Sequence, residues 1–322
     1  MRAAVLDTPG GAPAYGSRPD PEASAGSAVV AVTAAPIVPL DLLCASGTSY
    51  FGRPAVPYVP GVQGVGLVQS SGRFPAGTRV WFATSAGMAP GDGSLAERCA
   101  VPDADLVPLA AAVPDAAIAA LGLSAVAAWM SLTWRARLRP GERVLVLGAG
   151  GAVGQSAVGA AKLLGAGRVV AVCRSEEAQA RARRAGADAV VPLAGDVDAL
   201  TDRFREAVDG ADVVIDPVFG TAATAASRVL AEGGRLVNLG GTSGDVAEFS
   251  SAGLRSRSAS ILGYTNNALT PDQRRDALTT IAEHAAVGRL GVAHEEVGLA
   301  DVADAWRRQA TADTGVRLVL MP

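Results

Sequence analysis

The sequence predicts an α/β protein in which a mostly β domain is followed by a doubly wound parallel sheet. Three observations carry this. Residues 1–110 read as short β segments cut by Gly and Pro clusters. From 143 onward, strand-like and helix-like stretches alternate. The first strand-to-helix turn of the alternating region holds the glycine run "VLVLGAGGAVGQ", 144–155.

Element by element, the β segments of the first part are "RAAVL", "AVVAVTAAPI", "GVGLVQS", "TRVWFAT" and "AERCAVP". A charge-free stretch follows at 116–134, "AAIAALGLSAVAAWMSLTW". It reaches the ~18 residues at which a membrane span must be considered. Alanine dominates it, however, and Pro114 and Asp115 suit a helix start, so the expectation is a helix buried between domains. Next come strand "RVLVLG", helix "AVGQSAVGAAKLLGA", strand "RVVAVCR", helix "EEAQARARRAGA", strand "AVVPL", helix "VDALTDRFREAV", strand "DVVIDPV", helix "TAATAASRVL" and strand "GRLVNLG". Strands separated by helices specify a parallel sheet covered on both faces. "ASILGY" adds a sixth strand, then an amphipathic helix at 271–287, "HEEVGLADVADAWRRQ" and a closing strand "VRLVLMP".

With 322 residues, 49 % of them apolar, the chain exceeds what one core of ~250–300 residues usually holds, which favours two domains. A formal charge of −3 and scattered arginines leave no basic footprint for nucleic acid, so a small, apolar or mildly polar substrate is expected. Cys44, Cys99 and Cys173 are odd in number and far apart, which suits a reducing compartment and neither a disulfide framework nor a C-x-x-C site. Asp7 and Pro9 stand where a secretory segment needs an apolar run. The expectation is a cytoplasmic protein without membrane attachment.

The glycine run at 144–155 reads Ala149-x-Gly151-x-x-Gly154, one substitution from the dinucleotide fingerprint. Gly151 would let the backbone approach a pyrophosphate, Gly154 would let the helix lie close to the sheet, and Ala152 and Val153 would open the helix whose N-terminus faces the phosphates. The alternative is a tight turn without a ligand. At the end of the next strand, Cys173-Arg174-Ser175 stands where an NAD site usually places Asp or Glu. A cation there favours NADP(H), against the alternative that Arg174 merely pairs with Glu176 or Glu177.

Several stretches together resemble the medium-chain dehydrogenase/reductase superfamily over nearly the whole chain. They are "PGVQGVGLV", "LGLSAVAAWMSL", "GERVLVLGAGGAVGQSAVGAAKLLGA", "DVVIDPVFG", "GGRLVNLGG" and "LADVADAW". The resemblance implies a GroES-like, mostly β substrate domain from 1–115 and 265–322 and a Rossmann domain from 116–264. It also implies a homodimer joined where "ASILGY" forms a sheet edge. Zinc alcohol dehydrogenases of the superfamily carry Gly-His-Glu where this chain has Gly61-Val62-Gln63, and a ligand Cys where it has Val38. No metal is therefore expected, and the chain looks like the zinc-free quinone oxidoreductase-like and enoyl reductase-like branch. It departs from that branch at Val38, Leu43 and Ala45, where polar cleft residues are usual.

The resemblance places the nicotinamide pocket at Pro217, Val218, Gly240, Gly241, Tyr264 and Asn266, beyond the carboxyl ends of later strands. Hydride transfer to a polarised double bond also profits from a donor near the developing enolate. Tyr50, Gln63 and Ser124 are the candidates. Each has a packing alternative: a rim aromatic, a satisfied polar group, and a small residue in close helix packing. Asp41 is read as a helix cap or as a buried carboxylate with a raised pKa. The expected function is an NADPH-dependent, zinc-independent reduction of an enone, enoyl thioester or quinone, with a biosynthetic tailoring step as one form of it; the alternative is a catalytically weak NADP(H)-binding sensor or assembly partner.

Overall fold

A computed structural model describes residues 1–311 and 315–322. The chain forms two compact units, Met1–Gly122 with Leu278–Ala286 and Val292–Pro322, and Leu123–Ala277 with Val287–Gly291.

In the first unit, β1 (Arg2–Val5) and β2 (Ala14–Ser17) make an antiparallel ribbon. β3 (Ser27–Pro36) leads into α1 (Pro39–Ser46) and then β4 (Gln63–Ser70), β5 (Arg79–Ala83), β6 (Arg98–Pro102) and β7 (Leu106–Pro108). β3 pairs antiparallel with both β4 and β6, β4 pairs with β5, and β5 with β7. Alternating apolar residues fill the inside of this sheet, with Val30, Val80, Phe82, Leu95 and Leu106 at its centre. Fully burying each such side chain stabilises by about 1.5–3 kcal/mol, which is why four- and five-residue strands hold.

The apolar stretch forms α2 (Asp115–Met130), continued by a π-helical turn over Ser131–Arg135. By length and composition it could cross a membrane, yet 78 % of its most apolar window is buried inside the structure. The helix is broken at Gly122, whose φ of 28° and ψ of −129° are non-helical. A β-carbon at Gly122 would overlap the Gln63 carboxamide, so only glycine fits the break.

The second unit alternates β8 (Arg143–Leu147), α3 (Ala152–Leu163), β9 (Arg168–Cys173), α4 (Glu176–Arg184), β10 (Ala189–Pro192), α5 (Val197–Val208), β11 (Ala211–Asp216), α6 (Gly220–Ser227), β12 (Leu230–Asn238), α7 (Ser251–Ser256) and β13 (Ser260–Gly263). The six strands are parallel, in the order β10-β9-β8-β11-β12-β13. Successive β8 residues point to opposite faces: Val144 and Val146 meet the α3 side, Leu145 and Leu147 the α5 and α6 side. Both faces are thus dry, which is why the strands read as continuous apolar runs. The sequence pattern carries the sixth helix to residue 230, but the helix stops at Ser227 because Leu230 already pairs with Ala211 as the start of β12.

The chain closes with α8 (Pro271–Ala286), β14 (His294–Gly298), α9 (Val302–Ala310) and β15 (Arg317–Met321). β15 runs antiparallel to β3 and parallel to β14, so the C-terminus completes the sheet of the first unit.

Candidate functional site

In the second unit, strand order reverses direction at β8, which has β9 on one side and β11 on the other. Ligands of open α/β sheets lie beyond the carboxyl strand ends at such a switch point. The glycine turn 148–151 sits there and delivers the chain into α3, with Gly151 as the residue before the first helical turn. No side chain among the described residues caps this N-terminus. The N–H groups of Ala152, Val153 and Gly154 therefore face outward without an intrahelical acceptor and with the positive end of the helix dipole behind them.

The glycines of this turn differ in cause. A β-carbon at Gly154 would overlap Ala149, and one at Gly150 would overlap Ala178 of α4. Gly151 is exposed, its φ is −80°, and a β-carbon there would meet nothing nearer than the Gly148 oxygen at 3.6 Å. Neither backbone strain nor protein packing asks for glycine at 151.

Beside the turn, β9 ends at the buried Cys173. Burial pushes its thiol up to about 11, against the opposing pull of Arg181 and the Gly150 and Ala149 amides. Arg174 follows, exposed and without an ion pair among the described residues. Ser175 caps α4, its hydroxyl accepting from Ala178 N–H at 3.2 Å. The Glu177 carboxyl is held below its ordinary range by its own backbone amide and the Ser175 hydroxyl, so it serves the cap rather than Arg174.

The remaining strand ends converge on the same edge. Val218 lies against Gly148, and Gly240 packs on the Pro217 carbonyl. Asn238 donates to the Gly240 carbonyl at 2.7 Å and to that of Asp216 at 3.3 Å. Gly241 is exposed in the loop that follows. Tyr264 bonds Asn266 Oδ1 at 2.7 Å, and Asn266 Nδ2 reaches the Leu123 carbonyl at 3.1 Å. All the predicted cofactor-site residues thus lie at the carboxyl edge of the one sheet. Sequence reasoning missed Asp216. Its buried carboxylate accepts from the Val218 and Phe219 amides at 3.0 and 2.8 Å and holds Phe219 at a φ of +59°, while burial raises its pKa. A charge ending the apolar run "DVVID" was the signal for it.

In the first unit, Val38 and Val62, at the positions of the absent zinc ligands, are both buried. One carboxylate joins them: Asp41, 2 % exposed, accepts from Val38 N–H at 2.8 Å and Val62 N–H at 2.9 Å. Burial raises its pKa to about 6, so it is at once a helix-start acceptor and a perturbed carboxylate. Arg317 is buried as well and donates to the Ile37 carbonyl at 2.7 Å. Among the described residues no group of three or more His, Cys, Asp or Glu is placed to hold a metal ion.

Two of the three candidate donors lie in this unit and the third in the other. Gln63 is fully buried and its Oε1 accepts from Trp81 Nε1 at 3.2 Å. Tyr50 is 78 % exposed, its ring 4.2 Å from that of Phe51. Ser124 is buried on α2.

Two family models match in chain order: the alcohol dehydrogenase GroES-like domain over residues 24–111 and the zinc-binding dehydrogenase domain over 152–283. Similar proteins include a phenolphthiocerol/phthiocerol polyketide synthase of Mycobacterium tuberculosis, 33 % identical over 91 % of this chain, of which the chain spans 13 %. The quinone oxidoreductase of Mus musculus is 30 % identical over 66 % of this chain and 64 % of its own length, just under two thirds. Among solved structures, the quinone oxidoreductase of Thermus thermophilus, also solved in complex with NADPH, is 31 % identical with full coverage of both chains and a TM-score of 0.80. A mycobacterial quinone oxidoreductase has a TM-score of 0.89 at 23 % identity, a likeness of fold. Full-length correspondence to a quinone oxidoreductase, on a fold whose turn, strand order and return segment are those described above, establishes that the chain belongs to the medium-chain dehydrogenase/reductase superfamily, in its quinone oxidoreductase-like branch.

Proposed function

We propose that the protein is an NADPH-dependent, zinc-independent reductase of a polarised carbon–carbon double bond or a quinone. The observation that carries this is Gly151, open at an uncapped helix N-terminus where neither strain nor packing requires glycine. The Thermus relative's complex with NADPH supports the choice of nucleotide, as does the cation at 174.

When bound, the nicotinamide supplies the hydride. The α3 amides then hold the pyrophosphate, and Arg174, with Cys173 and Ser175 beside it, meets the 2′-phosphate. Pro217, Val218, Gly240, Gly241, Tyr264 and Asn266 wall the reactive ring, and Asp216 fixes the first two by holding their loop. With the cofactor bound, the acceptor would take its hydride from the nicotinamide and its balancing proton from solvent water, directly or through a side-chain hydroxyl. Tyr50, Gln63 and Ser124 are the proposed donors to the developing enolate. Val38 and Val62, lacking any metal-binding atom, are the ground for a zinc-free reaction and for an apolar or mildly polar small-molecule substrate. The reading includes a cytoplasmic homodimer joined along β13, the edge strand of the sheet.

The test is fluorescence titration with NADPH and NADH on wild type and Arg174→Ala, followed by an acceptor screen with and without chelator. We expect NADPH to bind at least tenfold more tightly, ~1.4 kcal/mol, with Arg174→Ala losing most of that preference and chelator leaving turnover intact. Failure to bind either nucleotide, or loss of activity on chelation, would refute the proposal. A sensor or assembly partner is the second reading, favoured by the apolar Val38, Leu43 and Ala45. Tight NADPH binding without hydride transfer to any acceptor in the screen would establish it.

A further inference from the structure

Four arginines follow β9: Arg174, Arg181, Arg183 and Arg184. Three of them are exposed, and Arg183 reaches only Gln179, at 3.4 Å. Arg181 is different. It is half-buried and its Nε donates to the Gly150 carbonyl at 3.1 Å, inside the glycine turn itself. Ala178, three residues earlier on the same face of α4, packs against Gly150, so helix and turn are pinned together at that point.

A guanidinium is planar and carries five N–H donors. Anchoring Nε to a backbone carbonyl fixes the plane and leaves the two terminal NH2 groups, which have no acceptor among the described residues, presented as a fork. Among the described residues no carboxylate stands in ion-pair contact with it. Glu177, one helical turn earlier, attracts it from a distance but is engaged at the Ser175 cap, Arg184 is a like charge, and the thiol of Cys173 is uncharged at neutral pH. Burial lowers the Arg181 pKa, so the protein keeps a partly desolvated cation here without a carboxylate partner. A partly buried cation is costly unless an anion meets it, and a planar fork matches a phosphate bidentately. The end of β9 beside the glycine turn is where a doubly wound dinucleotide site holds the adenosine ribose.

We infer that Arg181 is a second recognition residue for the 2′-phosphate of NADP(H), reaching it from the glycine turn while Arg174 approaches from the strand end. The inference rests on the NADP(H) reading above. Nicotinamide preference is then set by two arginines on separate elements, with Arg181 the more rigid because its Nε is already bound.

The experiment is a fluorescence titration of NADPH, NADH, 2′,5′-ADP and 5′-AMP on the full chain as wild type, Arg181→Gln, Arg181→Lys, Arg174→Ala and the double variant. The expected result is that Arg181→Gln weakens NADPH and 2′,5′-ADP at least tenfold and NADH and 5′-AMP less than twofold. Arg181→Lys, a point charge without the fork, should recover part of the loss, and the double variant should bind the two nucleotides equally. Retained 5′-AMP binding shows that each variant is folded at this site. Equal weakening of NADPH and NADH would make Arg181 a mere fastener of α4 to the turn, and overturn the inference. So would an unchanged ratio in a wild type that prefers NADPH, and in both cases the NADP(H) reading would survive. A wild type that binds no nucleotide would overturn both.

Discussion

The two glycine-rich stretches of this chain use amide hydrogens in opposite ways. At 61–66, "GVQGVG", every glycine is pressed by the protein itself: a β-carbon at Gly61 would overlap Ser94, one at Gly64 would come within 2.6 Å of Phe82, and one at Gly66 would overlap the Ala31 carbonyl. The Val62 amide is satisfied from inside by Asp41. At 148–154 the outermost glycine has open space, and no side chain among the described residues caps the helix amides behind it. One stretch brings its own anion; the other, on the function proposed above, would receive one from outside. A glycine run is thus a statement about close approach, and what approaches has to be read from the surroundings of each residue.

Alanine substitution separates the two. Gly66→Ala should have the largest effect, because β4 lies between β3 and β5 and the new methyl would overlap backbone that cannot step aside. A loss of about 3 kcal/mol or more is expected, read as a fall in Tm and in the urea midpoint. An unchanged midpoint would mean that β3 and β4 separate easily and that the packing account of the first stretch is wrong.

Gly151→Ala should do the reverse. Its φ and ψ, −80° and 172°, suit any residue and the methyl has room, so Tm should move by no more than about 2 °C. Affinity for NADPH and NADH should fall together, about tenfold or ~1.4 kcal/mol, since on the proposed function the methyl would stand where the pyrophosphate would lie. Unaltered nucleotide affinity in a stable variant would remove the distinction between the stretches.

Much of this contrast is legible in the sequence, and some is not. The parallel sheet announces itself because strands such as "VLVL" are apolar on both faces and the helices between them are long enough to show their period. β2, β7 and α7 escape such reading, since elements of three to six residues carry no resolvable period and exist through their tertiary partners. The fingerprint placed Gly151 and Gly154 at the turn, but spacing cannot tell which of them packing already requires. Arg181 is one of four arginines near the end of β9 with nothing in its spacing to distinguish it. Its bond to the Gly150 carbonyl depends on Ala178 being small enough to bring α4 onto Gly150, a relation between two elements that no local pattern records. Asp41 was open between cap and buried carboxylate because one side chain does both.

The smallest expected effect tests that internal anion. Burial raises the Asp41 pKa from an ordinary 3.8 to about 6, with the Val38 and Val62 amides and Arg317 opposing. A carboxyl that binds its proton more tightly when folded stabilises the fold fully below pH 3.8, and loses that contribution as pH rises through 6. Between pH 7.5 and 5.5 wild type should therefore gain about 1 kcal/mol from this group, roughly 1–2 °C in Tm for a chain of this size. Asp216, also raised by burial, adds in the same direction in the second unit, so the quantity to measure is the difference between wild type and Asp41→Asn. The Asn variant keeps an oxygen to accept one of the two amides but cannot titrate, and its profile should be flatter by that amount. Parallel profiles would show that Asp41 stays ionised throughout the window. The 61–66 stretch would then be held by a permanent charge, and its likeness to an anion site filled from within would be closer still.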